Sequence, residues 1–201
     1  MRLFQAKMVT VHCSSLPQPL RGLRVLMSYA TCFLLLAGCI SDMPQVPKNA
    51  DPNERQALAA ILPLAENASW NESGRLSSIA LRGDAVTDEQ LKQLGVFSDL
   101  EELSLIGARI TDNGLARLKG LPRLAAVGVA WTDIGDQGIE HLSEIESLKL
   151  LDLNHTKITD ASFENLLKLR QLSTLFIEGT AVSESAVQAF KRKRPDCRVQ
   201  K

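Results

Sequence analysis

The sequence predicts an α/β solenoid of five stacked β–turn–α units, and three observations predict it. A 24-residue period runs without a gap from Leu76 to Asp196, as four units of 24 and one of 25. Inside each unit the apolar spacing changes from that of a strand to that of a helix. At the changeover lies a short polar turn, usually Thr-Asp.

The units open at Leu76, Leu100, Leu124, Leu148 and Leu172. Their fourth positions are Ile79, Leu103, Val127, Leu151 and Leu175, and their sixth are Leu81, Leu105, Val129, Leu153 and Ile177. Apolar residues two apart around a variable one mark a strand buried on one side. The eleventh position is always Val or Ile: Val86, Ile110, Ile134, Ile158 and Val182. Positions sixteen and nineteen, from Leu91/Leu94 to Val187/Phe190, are three apart and share a helix face. Thr87, Thr111, Thr159 and Ser183 are placed to cap these helices, Thr87 with Gln90 as a capping box. Asp88, Asp112, Asp136, Asp160 and Glu184 then fall in the first helical turn, where the dipole favours negative charge. Such a column of acids could also suggest calcium, which wants several oxygens converging on one point. Capping accounts for each acid without it.

One unit cannot bury enough apolar surface to offset the ordering of its own backbone, so the units must stack. Each enters and leaves in the same sense, which makes the strands parallel.

The pattern LxxLxLxGTxITDxGLxxLxxL resembles the leucine-rich repeats, close to the ribonuclease-inhibitor-like group and to short repeat proteins of bacterial envelopes. The resemblance covers residues 76–196. It implies a curved solenoid with a parallel sheet on the concave face and helices on the convex face. The family's usual ninth-position Asn is here Asp84, Ala108, Thr132, Thr156 and Thr180, so a hydrogen-bonded ladder would rest on Thr and break at Ala108.

Terminal units need covers. Residues 54–75 supply one, a capping helix carrying Leu58, Ile61, Leu62 and Leu64, bent or shortened at Pro63, then Trp70 and the Asn71–Gly74 turn. Residues 197–201 read as a closing strand with Cys197 as a small buried apolar residue. Lys191–Arg194 ends the last helix either as a solvated terminus complementing the dipole or as a patch facing an anionic membrane.

The chain before the repeats is of a different kind. Residues 1–38 contain four basic groups (Arg2, Lys7, Arg21, Arg24) and no acid, leaving 19 basic against 23 acidic from residue 39 onward. The zero formal net charge argues against a nucleic-acid binder working by broad phosphate neutralisation, and the body itself is mildly acidic. Arg21 and Arg24 precede the apolar stretch Val25–Leu36, too short to span a bilayer but suited to a secretory signal. Leu36-Ala37-Gly38-Cys39 resembles the lipobox of bacterial lipoproteins. The resemblance implies a signal peptide over 1–38, a diacylglyceryl group on the Cys39 thiol, cleavage before it and acylation of the new terminus. Ile40 in place of Asp then favours the outer membrane, facing the periplasm. Residues 39–53, with Pro44, Pro47 and Pro52, read as the lipidated end and a flexible tether.

No constellation for chemistry stands out: there is no Gly-x-Ser-x-Gly, no phosphate loop, and no Cys or His pair at metal spacing. His141 and His155 fall on different sides of the repeat. Neither an enzyme nor a resident cofactor or metal is expected. Function then rests on a surface, and the concave face is the first candidate. Its middle unit is bare (Ala126, Gly128, Ala130), and Trp131 stands at an eighth position that is Gly in three other units. Ile106, Trp131, Leu150 and Phe176 suggest a shallow apolar trough edged by Asp152 and His155, suited to a protein or peptide partner. The reading is a membrane-anchored, non-catalytic interaction module of the bacterial cell envelope. The alternatives are a structural envelope protein without a ligand, and a substrate-adaptor-like repeat protein, since the Ile-Thr-Asp-x-Gly-Leu wording is shared with adaptors.

Overall fold

The structure, a computed structural model, describes Val46 and residues 51–201. Cys39, the lipobox and most of the tether lie outside the described residues.

Helix α1 spans Pro52–Ile61, entering the stretch read as tether. Asp51 starts it, its carboxylate accepting from the Asn53 N–H at 2.8 Å, with Pro52 in the first turn where no N–H is needed. A 3₁₀ turn over Leu62–Leu64 absorbs Pro63. The next segment differs from the sequence expectation. Residues Ala65–Trp70 form a strand, β1, running antiparallel to β2 (Leu76–Leu81). The reversal is built by Asn71, whose Oδ1 accepts from the Ser73 and Arg75 N–H groups, and by Gly74 at φ +75°. The N-terminal cover is therefore a hairpin as well as a helix, and the sheet is parallel only from β2 onward.

From there each unit lays one strand beside the last: β3 (Glu102–Ser104), β4 (Ala126–Gly128), β5 (Leu150–Asp152), β6 (Thr174–Phe176) and β7 (Arg198–Gln200). All pair parallel in chain order, and each residue faces its counterpart one full repeat along, as in Leu103, Val127, Leu151, Leu175 and Val199. The ladder runs past the short strands, with Leu105 N–H donating to Gly128 O and Trp131 N–H to Asn154 O. The first, fourth and sixth residues of every unit are at most 2% exposed, so one aliphatic core runs the length of the stack.

The helical halves are α2 (Asp88–Leu94), α3 (Asp112–Leu115, continued as a 3₁₀ turn to Gly120), α4 (Asp136–Leu142), α5 (Ser162–Leu166) and α6 (Glu184–Lys193). Thr87, Thr111 and Ser183 cap theirs, and Thr87 with Gln90 forms the capping box. Thr159 does not cap a helix. Its hydroxyl accepts from the Ala161 N–H in a turn that delays α5 to Ser162, which leaves Asp160 outside the helix.

The two ends close differently. At the first, Glu54 is buried and its carboxylate meets the Arg75 guanidinium at 2.7 Å. Burial pushes the Glu54 carboxyl up, the attraction of Arg75 working against it. At the last, Cys197 is buried, and burial pushes its thiol up. Arg194 donates to the carbonyls of Leu169, Leu172 and Arg170 at 2.8, 2.8 and 3.1 Å, so it fastens the final turn to the preceding unit. Of the basic run, Arg192 and Lys193 are exposed.

Candidate functional site

Two sets of polar interactions decide what the strand-to-helix edge can present. The first corrects the expected Thr ladder. The hydroxyls of Thr132, Thr156 and Thr180 donate to the carbonyls of Val129, Leu153 and Ile177, at 2.6, 2.7 and 2.8 Å. Each bond stays within its own unit and closes its own turn, so nothing passes between units there.

The bonds between units come from the acids instead. Asp88 accepts from the Thr111 N–H at 2.8 Å and from its hydroxyl at 2.6 Å. Asp136 does the same with Thr159 at 2.9 and 2.7 Å and also accepts from the Ser162 hydroxyl; Asp160 does it with Ser183 at 2.7 Å for both. Each acid therefore grips the capping position of the next unit. Burial works to raise the Asp136 carboxyl, but the bonds from Ser162 and Thr159 outweigh it and hold it below the usual range. The Ser183 backbone N–H, then its hydroxyl, do likewise for Asp160. The Gly of Ile-Thr-Asp-x-Gly-Leu acquires a reason. A side chain on Gly114 would run into the Asp88 carboxylate, and one on Gly138 into Asp112 Oδ1 at 2.6 Å. Reasoning from sequence misses these contacts. Their signal is Thr and Asp recurring in step, with Asp88, Asp136 and Asp160 each 23 residues before a hydroxyl of the next unit.

Above this ladder, the eighth residue of every unit turns the chain through the left-handed region. It is Gly83, Gly107 and Gly179 at φ +89°, +68° and +68°, but Trp131 at +60° and His155 at +53°. A bulky residue there is strained, and such strain persists only where the surroundings hold it. Here the two rings stack on each other, centroids 3.7 Å apart and 19° from parallel. His155 in turn lies over Gly179, where any Cβ would collide with its ring. Trp131 is 63% exposed, the most exposed of the large apolar side chains among the described residues.

The predicted site residues thus fall into two groups. Trp131 and His155 stand together at the turn rim. Leu150, Asp152 and Phe176 share the sheet face: Leu150 and Asp152 are alternate residues of β5, and Asp152 pairs with Gly128 on one side and Phe176 on the other. Ile106 of the second unit precedes Gly107, whose N–H donates to the Ala130 carbonyl of the bare third unit at 2.9 Å. Ile106, Leu150 and Phe176 are half-buried. Asp152 Oδ1 accepts from the Asn154 N–H at 3.1 Å, yet burial pushes its carboxyl up. His141 lies away from both groups, on α4, its ring nitrogens buried without a hydrogen-bond partner. A groove of about 750 Å³ opens beside the rim, lined in part by Arg109, Asp112, Asn113, Trp131, Asp133 and His155. Among the described residues no three His, Cys, Asp or Glu side chains gather as a metal site, and no helix is long and apolar enough to cross a membrane.

No family model matches the chain, and no curated protein does. Among solved structures it is similar to the ectodomain of the receptor kinase SOBIR1 from Arabidopsis thaliana, at 18% identity and TM-score 0.49, over 75% of this chain and 92% of that one. A leucine-rich-repeat protein of Leptospira interrogans follows at 16% identity and TM-score 0.41, over 55% of this chain and 33% of its own. An internalin of Listeria monocytogenes stands at 18% and 0.39, over 54% and 36%. The chain spans about a third of the length of these last two. What decides the architecture is the molecule's own register, a strand, a left-handed turn and a helical segment renewed at every repeat on one shared sheet: the chain folds as a leucine-rich-repeat solenoid.

Proposed function

We propose that this chain is a non-catalytic protein- or peptide-binding module, held in a bacterial cell envelope by a lipid on Cys39. The observation that carries the binding role is the Trp131–His155 pair. A strained, stacked, 63% exposed indole at a position that three units give to Gly costs stability and does nothing for the core. Exposed aromatics beside half-buried apolar residues are the usual anchors of protein interfaces, and Leu150 and Phe176 supply such residues on the adjoining sheet face. The ladder engages its carboxylates in holding the stack together, and the remaining polar groups of the rim assemble no nucleophile–base pair.

Support for the anchor is the match of Leu36-Ala37-Gly38-Cys39 to a lipobox behind a basic and then apolar segment. Two or more acyl chains would give stable attachment where one would not. Ile40 favours the outer membrane, facing the periplasm, as the destination.

Co-purification from detergent-solubilised envelopes tests the binding role. Partner recovery should drop with Trp131→Gly and with Phe176→Ala; undiminished recovery with both would leave a structural envelope protein as the better reading. Incorporation of labelled palmitate should vanish in Cys39→Ser, and its persistence would remove the anchor.

A further inference from the structure

The third unit departs from its neighbours at two positions, one of which, Trp131, lines the groove, while the other bonds Asp112 of its wall. The first is Trp131 itself. The stack leans toward the C-terminal units, indole on imidazole and imidazole over Gly179. On the other side of the indole the corresponding residue is Gly107, where a Cβ would have nothing within 4 Å. One face of Trp131 is taken by His155, and the other looks onto open groove.

The second departure is Gly135. The other four units have a hydroxyl residue here: Thr87, Thr111, Thr159 and Ser183. Asp112 Oδ1 still accepts from the backbone N–H of Gly135 at 2.9 Å. Its Oδ2 has no counterpart of the hydroxyl that Asp88, Asp136 and Asp160 each hold at 2.6–2.7 Å. The missing side chain leaves a carboxylate oxygen available on the groove wall.

We propose that this groove receives an arginine side chain of the peptide partner. The inference rests on the binding role argued above and names the chemistry of that partner. A guanidinium is flat, carries only donors, and stacks on indole. The groove offers one indole face, the open oxygen of Asp112, the carboxylate of Asp133, and the amide oxygens of Asn113 and Gln137. Of its three carboxylates, Asp84 is bound to Arg109 at 2.9 Å and Asp133 to Lys157 at 2.7 Å, which leaves Asp112 as the acid of the lining without a basic partner. The uncompensated Asp112 carboxylate favours a cationic group over phosphate or carboxylate. An aliphatic side chain would find one apolar wall and leave the open oxygen of Asp112 unpaired.

The test is a titration of the protein with the capped pentapeptide Gly-Ser-Arg-Ser-Gly and its citrulline and lysine counterparts, followed through the Trp131 indole N–H resonance. The arginine peptide should move that resonance to saturation. Citrulline, which keeps the shape and loses the charge, should bind about two- to fivefold more weakly, and lysine likewise. Gly135→Thr, which supplies the missing hydroxyl, should weaken the arginine peptide while its thermal unfolding midpoint stays level or rises. Equal binding of citrulline, unchanged binding to Gly135→Thr, or a response to maltotetraose in place of the arginine peptide would each overturn the proposal. If partner recovery depends on Trp131 while citrulline binds as well as arginine, the interaction module stands and the arginine assignment falls.

Discussion

Asp112 and Asp136 hold the same place in successive units, and their surroundings differ. Asp136 accepts from a backbone N–H and two hydroxyls, those of Thr159 and Ser162. Asp112 accepts from one backbone N–H and no hydroxyl. The chain around them is otherwise alike: both open a helix, and both face a small residue at the fifteenth position of the next unit. One junction is bonded as fully as its geometry allows. The other gives up a bond and, in the same unit, accepts a strained Trp131 at the turn. A repeat protein has many equivalent junctions, so it can loosen one for recognition while the others keep the stack together.

Breaking the strong junction should have the largest effect. Asp136→Ala removes three charge-assisted bonds and leaves buried Ser162 without its acceptor, so unfolding free energy should fall by about 2–3 kcal/mol. Asp112→Ala should cost about 1 kcal/mol or less. Equal losses at the two sites, measured by urea unfolding, would erase the distinction. Next in size is Gly138→Ala. Its Cβ would meet Asp112 Oδ1 and the Ile134 side chain at 2.6 and 2.7 Å, an overpacking worth about 1–2 kcal/mol, and Asp112→Ala should relieve part of it in a double-mutant cycle.

Smaller still is the gain from repairing the weak junction. Gly135 is in extended backbone at φ −117°, close to Thr111 at −109°, and a Cβ there stands 3.5 Å from Asp112 Oδ2. Gly135→Thr should therefore stabilise by about 0.5–1 kcal/mol. The last expectation concerns acid. The folded pKa values of Asp136 and Asp160 lie below their unfolded ones, so their contribution is whole above about pH 4 and is lost as pH falls through the folded values. Asp136→Asn should be less stable than the native chain at pH 7, and the gap should narrow toward pH 2. A gap that stays constant across that range would mean the charge of Asp136 does not act through this junction.

The period and its buried positions are legible in the sequence because a strand and a helix write different spacings, and five copies average out accident. The antiparallel strand β1 is not. Ala65-Glu66-Asn67-Ala68-Ser69-Trp70 has neither alternation nor β-branched residues. It is a strand because the Asn71–Gly74 turn lays it on the free edge of β2. The ladder is half legible: the acids read as serving their own helices, whereas their carboxylates reach forward to the next unit. At the rim, Trp131 stands out in the sequence, and the Gly of three other units already points to a positive φ. What sequence does not supply is the stack, which needs the 3.7 Å approach of two rings from neighbouring units.

The register has a consequence for how such a chain can change length. Sheet partners sit one full repeat apart, and each acid of the ladder reaches only the next unit, so both kinds of bond link a unit to its neighbour alone. Duplicating a complete unit would bring its own strand and its own acid, find matching partners on both sides, and leave the hairpin and the Arg194 closure untouched. Gain of a fraction of a unit would put side chains on the wrong face of the sheet. Growth of this protein is thereby quantised, and the site at the third unit can be carried nearer to or farther from the N-terminal hairpin without being rebuilt.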